Sequence, residues 1–281
     1  MQETELIIRQ FAQGSLYDAC CALLRYLKVS FVEVISKPLP FSQLYPVSMS
    51  KALSEVAEKI VNTYYIGQVD ARTLSGQSTG LTTEEIHDLV QRGKYHGMLV
   101  FAVDMVENCS LTRSEMAILT RGFNRIATAQ PVILFIRQGV KLSLSTCERM
   151  ESSQQWREGE KLGKVSILRN INCKNPHHGQ IDILEALGDK KYDTFDELYD
   201  HWMNVFSCDV LTEKFYSELS DWYAWASEVV RFPNDVSTGL NDDEQQRKNN
   251  QLNSEACIRM ITRLIFVWFL YQYSVNSNVI V

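Results

Sequence analysis

The chain has 281 residues, of which 45% are hydrophobic and 22% are charged, and its formal net charge is −6. This composition is typical of a globular protein that buries a sizeable core, and it excludes an intrinsically disordered chain. The acidic balance argues against a protein that binds nucleic acid through its overall charge.

The N-terminal segment and the cysteines indicate the compartment. The segment MQETELIIRQ contains acidic residues and lacks a long apolar run, so we do not expect a signal peptide. The seven cysteines include no C-x-x-C pair. We therefore expect a cytoplasmic protein with reduced, buried thiols, among them Cys20 and Cys21 in a predicted helix.

Residues 1–66 predict a helical N-terminal region. Apolar residues recur at helical spacing in LIIRQFAQGSLYDACCALLRYL, and they do so again in MSKALSEVAEKIVNTYYI. The stretch SKPLPFSQLYPVS between them holds three of the six prolines and predicts a loop.

Residues 67–190 predict a mixed α/β domain. Thr82 with Glu85, and Thr112 with Glu115, form capping boxes that each predict the start of a helix. Apolar, β-prone runs predict strands at residues 98–103, 132–136, 141–145 and 164–168. Gln138-Gly139 predicts a hairpin. The order strand, helix, strand, strand, strand predicts an α/β (α+β) fold with a small mixed β-sheet and packed helices.

Residues 191–281 predict an all-helical C-terminal region that connects to a further domain. Thr194 with Glu197 is a third capping box, and Thr212 is predicted to cap the next helix. That helix has a predicted apolar face whose members are spaced by three and four residues. Its members are Phe215, Leu219, Trp222, Ala226 and Val229.

The end of this region contains a predicted break and a very apolar segment. Pro233 is expected to end the preceding helix, and the polar residues 237–253 are expected to form a mobile loop. The segment 258–273 is apolar, but Arg259 and Arg263 interrupt it. We expect a buried helix that docks on another domain rather than a membrane span.

Motifs for methyl transfer are missing from the sequence. Adenine methyltransferases hold S-adenosylmethionine at a glycine-rich turn after a strand, and their catalytic tetrad is Asn/Asp-Pro-Pro-aromatic. The nearest string is Asn175-Pro176-His177-His178, which lacks the second proline and the aromatic residue. We expect no methyl transfer by this chain alone.

Asp104 is a weak candidate for a nuclease site. It closes the predicted strand 98–103, where a carboxylate could bind Mg²⁺, but no acid-x-Lys pair follows it. A strand-end acidic residue without catalytic function is the alternative. His177 and His178 are adjacent beside Pro176 and Gly179, so a turn is favoured over a metal site.

The middle of the chain is more basic than the rest. Residues 121–174 contain 10 Lys/Arg and 4 Asp/Glu, whereas residues 191–281 contain 7 and 14. A basic surface could contact phosphates, and a solvated mixed surface is the alternative. The candidate DNA-binding residues are Arg121, Asn124, Arg125, Arg137 and Lys141.

Aromatic residues in the C-terminal region allow two interpretations. They could stack on bases, or they could pack in a core at helical spacing, which is the more common use of such residues. These residues are Trp222, Tyr223, Trp225, Trp268 and Phe269.

From about residue 97 to residue 270 the chain resembles the N-terminal region of bifunctional type IIG restriction–modification proteins. Those proteins join a DNA endonuclease activity to an adenine-specific methyltransferase. The matching strings are LTRSEMAILTRGFNR, PVILFIRQGVKLSLS, EKLGKVSILRNI, NPHHGQIDIL, KFYSELSDWYAWASEVVRFPND and IRMITRLIFVWFL.

This resemblance implies a role in a DNA-targeting defence enzyme. The chain ends where the methyltransferase of that family would begin, so we expect an accessory portion without activity alone. Its expected partners are DNA and a methyltransferase domain or subunit, not a membrane. S-adenosylmethionine and Mg²⁺ are implied only for the full-length family, and no cofactor is expected in this chain. The alternatives are a degenerate or Mg²⁺-dependent nuclease domain and a protein-interaction module.

Overall fold

The computed structural model describes most of the chain in two compact units, Met1–Cys208 and Asp209–Val281. The described residues are 2–29, 31–33, 37–45, 48–70, 97–126, 130–151, 160–188, 192, 194–206, 208–232 and 242–277. The sequence predicts domain boundaries after residues 66 and 190, whereas the structure divides into its two compact units after Cys208. The reason is that the N-terminal helices and the helices after the sheet share its core.

A mixed sheet forms the centre of the first unit, as the sequence predicts, but it has six described strands where the sequence predicts four. Its strands are β1 (Val32–Glu33), β2 (Ile60–Asp70), β3 (Gly97–Met105), β4 (Val132–Gln138), β5 (Lys141–Glu151) and β6 (Glu160–Asn172), and they lie side by side in chain order. Only β3 and β4 are parallel; the other neighbours are antiparallel. A helix connects β3 to β4, as a parallel pair requires.

Helices cover both faces of this sheet. The described helices of the first unit are α1 (Gln2–Gln13), α2 (Leu16–Tyr26), α3 (Phe41–Leu44), α4 (Lys51–Ala57), α5 (Arg113–Ile126), α6 (His178–Ala186) and α7 (Phe195–Val205). One apolar cluster joins one sheet face to α1, α2, α6 and α7, and a second joins the other face to α3, α4 and α5. Successive side chains of β3 point to opposite faces of the sheet, so Ala102 belongs to the first cluster and Val103 to the second.

Side chains cap helices at two of the predicted positions, Thr112 and Thr194. The Thr112–Glu115 box is confirmed, because Glu115 accepts from the Thr112 N–H at 2.7 Å and donates its own N–H to Thr112 Oγ1 at 3.2 Å. Thr194 Oγ1 accepts from the Glu197 N–H at 3.3 Å. The predicted hairpin is also present, with Gly139 in the left-handed region at φ +57°.

One helical prediction in the first unit is wrong. The sequence extends a helix through residues 49–66, but α4 ends at Ala57 and β2 begins at Ile60. The run Thr63-Tyr64-Tyr65-Ile66 is rich in β-branched and aromatic residues, which pair well with β3. The predicted capping box at Thr82 and Glu85 lies outside the described residues.

The second unit contains two long helices, α8 (Cys208–Val229) and α9 (Asp242–Ser277). Two predictions are wrong here. The helix α8 begins four residues before Thr212, which is therefore inside the helix and not its cap. Residues 242–253 form the start of α9 rather than a loop, and three acidic residues in its first turn favour that helix end. Pro233 and residues 237–241 lie outside the described residues.

Candidate functional site

Asp104 and Arg137 form an ion pair where β3 and β4 end. The two residues are direct neighbours in the parallel register. Arg137 donates from Nε to Asp104 Oδ1 at 2.5 Å and from Nη2 to Oδ2 at 2.6 Å, and both side chains are 17% exposed. Burial lowers the pKa of Arg137, but the bonds to Asp104 outweigh it and raise that pKa overall. Arg137 is therefore held in its charged form.

The same guanidinium ties the sheet to the N-terminal helices. Arg137 Nη1 donates to the carbonyl of Gly14 at 2.7 Å and to that of Phe11 at 3.4 Å. The Phe11 carbonyl belongs to the last turn of α1, where helical acceptors lack partners, and Gly14 directly follows that helix. Asp104 and Arg137 thus have a structural role, and a cation bonded to both carboxylate oxygens disfavours Mg²⁺ at Asp104.

Asn124 also has a structural role. It is 1% exposed, its Nδ2 donates to the Thr120 carbonyl at 2.9 Å, and its Oδ1 accepts from the Val132 N–H at 3.2 Å. These bonds fix the end of α5 to the start of β4. The Asn124 side chain is consequently not available to contact DNA.

The other candidate cations divide between the two ends of the sheet. Arg121 and Arg125 lie near the end of α5, beside the start of β4, whereas Arg137 and Lys141 lie at the opposite end, where β4 turns into β5. The exposed Lys141 is therefore separated from Arg121 and Arg125 by the length of β4. The structure does not bring the five candidates into one surface.

Arg121 and Arg125 remain as a small basic cluster. Arg125 is exposed, and Arg121 makes only a long bond of 3.4 Å to the Gly163 carbonyl. Neither forms an ion pair within the described part of the chain. Burial raises the pKa of the Cys147 thiol, while the nearby charges of Arg121, Arg149 and Arg125 act to lower it.

Arg121 bonds to β6 next to one of two irregular points of that strand. The register between β5 and β6 shifts twice, so that extra β6 residues lie opposite single β5 residues. Side chains bond to carbonyls there: Arg121 reaches Gly163, and Gln180 Nε2 donates to the Arg169 carbonyl at 3.0 Å. These bonds partly occupy the backbone of an edge strand, which otherwise invites pairing with other chains.

The two adjacent histidines form the start of a helix, whereas the sequence favours a turn there. His177 is the N-cap of α6, and its Nδ1 accepts from the Gly179 N–H at 3.2 Å. His178 lies 3.1 Å from Asp182, one turn further along. No group of three or more His, Cys, Asp or Glu side chains suited to a metal ion occurs in the described ranges.

The predicted apolar face of α8 is largely exposed, and only Ala226 is fully buried. Phe215 is 50% exposed, Trp222 39% and Val229 60%, and Trp225 beside them is 54% exposed. The prediction that these aromatic side chains pack in a core is therefore wrong for the described structure. Large exposed apolar patches of this kind mark interaction surfaces.

The later part of α9 is apolar on every side and exposed. Eight consecutive apolar residues occupy positions 264–271, more than two helical turns. The described side chains among them are 39–63% exposed. On α9 the stripe of Asn253, Cys257 and Ile261 is buried, and one turn further the same stripe continues with exposed Leu264 and Trp268.

A single buried asparagine, which the sequence places in a loop, joins α8 to α9. Asn253 is 4% exposed. Its Nδ2 donates to the carbonyls of Val230 and Ser227 at 2.9 and 3.3 Å, and its Oδ1 accepts from the Phe232 N–H at 3.0 Å. The bonds satisfy backbone groups just after α8. The polar sequence around Asn253 conceals this role.

Within the described residues, no helix has both the length and the apolar character needed to cross a membrane. The chain was also compared with known proteins. No family model, no curated protein and no solved structure matches it.

Proposed function

We propose that the chain is a non-catalytic, accessory portion of a type IIG-like restriction–modification protein, and that its helical unit docks a methyltransferase domain. It would act in the cytoplasm as part of a DNA-targeting defence system. The resemblance of residues 97–270 supplies the family, and the exposed apolar half of α9 supports the docking function.

The surface of α9 supports docking for a physical reason. A helix that is apolar on all sides is stable in water only when other elements enclose it. In the described unit, Leu264, Phe266, Val267 and Trp268 are all 57–62% exposed although they point in different directions around the helix. A groove in a larger domain would enclose them all, whereas one flat surface would cover only one side.

Binding to a separately produced adenine methyltransferase domain of the type IIG family tests this proposal. We expect the chain to bind it, and Val267→Ser with Trp268→Ser to weaken binding at least about thirtyfold, since a buried Trp is a typical hot spot. Arg247→Ser with Lys248→Ser, on the exposed polar part of α9, is the matched control and should bind normally. Equal binding by both variants, or no binding by the native chain, contradicts the proposal.

DNA engagement is a second candidate function, favoured by the two arginines at the end of α5. Arg121 and Arg125 are four residues apart, so they share a helix face, and they have no carboxylate partner among the described residues. Guanidinium groups in this arrangement suit phosphate contacts.

Fluorescence anisotropy with duplex DNA across a salt series tests this second function. We expect weak binding that decreases steeply with salt, and Arg121→Ala with Arg125→Ala should reduce the slope by about two. Arg113→Ala, at the exposed start of the same helix, is the control. Binding that is equally strong in the double variant would exclude this surface.

A further inference from the structure

The exposed part of α8 combines aromatic and acidic side chains. Residues 215–229 contain Glu218, Asp221 and Glu228 and no Lys or Arg. All three carboxylates are exposed, and none has an ion-pair partner among the described residues. Glu218 lies between Trp222 and Trp225 in angle around the helix, so the apolar stripe is itself acidic.

The exposed part of α9 has the opposite charge. In residues 258–271 the charged residues are Arg259 and Arg263. Arg259 lies 3.1 Å from Glu255, and Arg263 is exposed without a bond to any described residue. One unit therefore presents an acidic apolar helix and a basic apolar helix, which is a self-complementary pair of surfaces.

The faces that carry these charges also expose enough apolar area for an interface between two copies. Four described aromatic side chains on these faces are 39–61% exposed: Phe215, Trp222 and Trp225 on α8, and Phe266 on α9. If each can bury about 200 Å², half exposure leaves roughly 400 Å² on these residues alone. Val229 and Leu270 lie on the same faces, are 60% and 49% exposed, and add to this area.

We propose that two copies of this chain pair through their helical units, with the acidic stripe of α8 in each copy on the basic, apolar half of α9 in the other. A two-fold axis makes both contacts identical. Each α9 then lies between its own α8 and that of the second copy, which encloses more of its apolar surface than one neighbour can. The arrangement is a four-helix assembly with apolar residues inside.

This pairing goes beyond the docking function and does not depend on it. It needs no methyltransferase, so it is measured on the chain alone. Because the pairing uses the helix that the docking proposal also uses, the two interactions would be mutually exclusive. A methyltransferase domain would then convert the paired chains into single complexes.

Charge-reversed variants of the full chain give a test with a built-in rescue. One variant is Glu218→Lys with Asp221→Lys, and the other is Arg259→Glu with Arg263→Glu. Each one alone places like charges across both contacts, so we expect dimerisation to weaken at least about tenfold. An equimolar mixture restores opposite charges in both contacts of the mixed pair, and it should dimerise about as well as the native chain.

Analytical ultracentrifugation over a concentration series measures the association, and circular dichroism shows whether each variant keeps its helix content. Arg247→Glu with Lys248→Glu reverses two charges on the polar part of α9 and should dimerise normally. A native chain that stays monomeric overturns the proposal, even if a variant fails to fold. A mixture of the two variants that stays monomeric also overturns the proposal. So does a particle mass that keeps increasing with concentration, because that indicates apolar aggregation rather than a dimer.

Discussion

Replacement of Asp104 by alanine tests whether this residue is structural or catalytic. The substitution removes both acceptors of Arg137 Nε and Nη2, at 2.5 and 2.6 Å, from an arginine whose side chain is only 17% exposed in the native structure. Its remaining acceptors are the carbonyls of Gly14 and Phe11. The variant therefore contains a largely buried cation without a counter-charge.

The expected loss of stability follows from these contacts. Removal of one partner from a fully buried pair typically costs about 3–5 kcal/mol. Residual exposure of Arg137 and its two carbonyl acceptors reduce this cost, so we expect about 2–3 kcal/mol for Asp104→Ala. Asp104→Leu with Arg137→Met removes both charges and should cost less than the single change, because no unpaired ion remains.

Urea unfolding followed by far-ultraviolet circular dichroism measures these free energies, with the transition of the sheet-containing unit analysed separately. The reasoning is refuted if Asp104→Ala is neutral or stabilising, or if the double variant is less stable than the single one. Mg²⁺ should not stabilise the native chain, whereas a metal site at Asp104 would shift unfolding to higher urea.

Two further predictions concern the ends of helices. Burial raises the pKa of Glu115, but its bonds to Lys59 and Thr112 outweigh burial and lower that pKa, while the bond to Glu115 raises the pKa of Lys59. The pair therefore stabilises the fold at neutral pH and is lost as pH falls through the lowered carboxyl pKa or rises through the raised lysine pKa. Glu115→Gln should cost about 1 kcal/mol at pH 7, and its difference from the native chain in thermal unfolding should shrink towards acid pH; a constant difference contradicts this. Asn253→Ala removes three buried bonds and should cost about 2–3 kcal/mol, seen as faster amide exchange in the last turn of α8, while the exposed control Asn250→Ala leaves exchange unchanged. Equal exchange in the two variants would show that Asn253 does not hold the helices together.

Part of the sheet and one helix start are predicted correctly because each depends only on a few consecutive residues. The strand from Met98 to Val103 is a continuous β-prone run, and the capping box of Thr112 and Glu115 needs only four consecutive residues. The helix predicted through residues 58–66 fails because an amphipathic pattern fits either period over a short range, and pairing with β3 decides for a strand.

The candidate site could be predicted only in part, because a residue type does not reveal its partner. Arg137 and Asn124 have the chemistry of DNA-contacting residues. In the structure, however, Arg137 is bonded to Asp104, and Asn124 accepts a hydrogen bond from the Val132 N–H. Arg137 is 33 residues from Asp104 in the chain, and only the parallel register of β3 and β4 makes them neighbours.

The sequence by itself determined the class of fold, the order of strands and helix from Met98 to Leu168, and the presence of a very apolar C-terminal segment, since each follows from the local alternation of apolar and polar residues. Tertiary structure alone decided which polar side chains are bonded to one another and which apolar side chains stay exposed. Trp222 and Trp268 read as core residues in the sequence, and they are exposed because burial depends on what packs against a helix as well as on its own pattern.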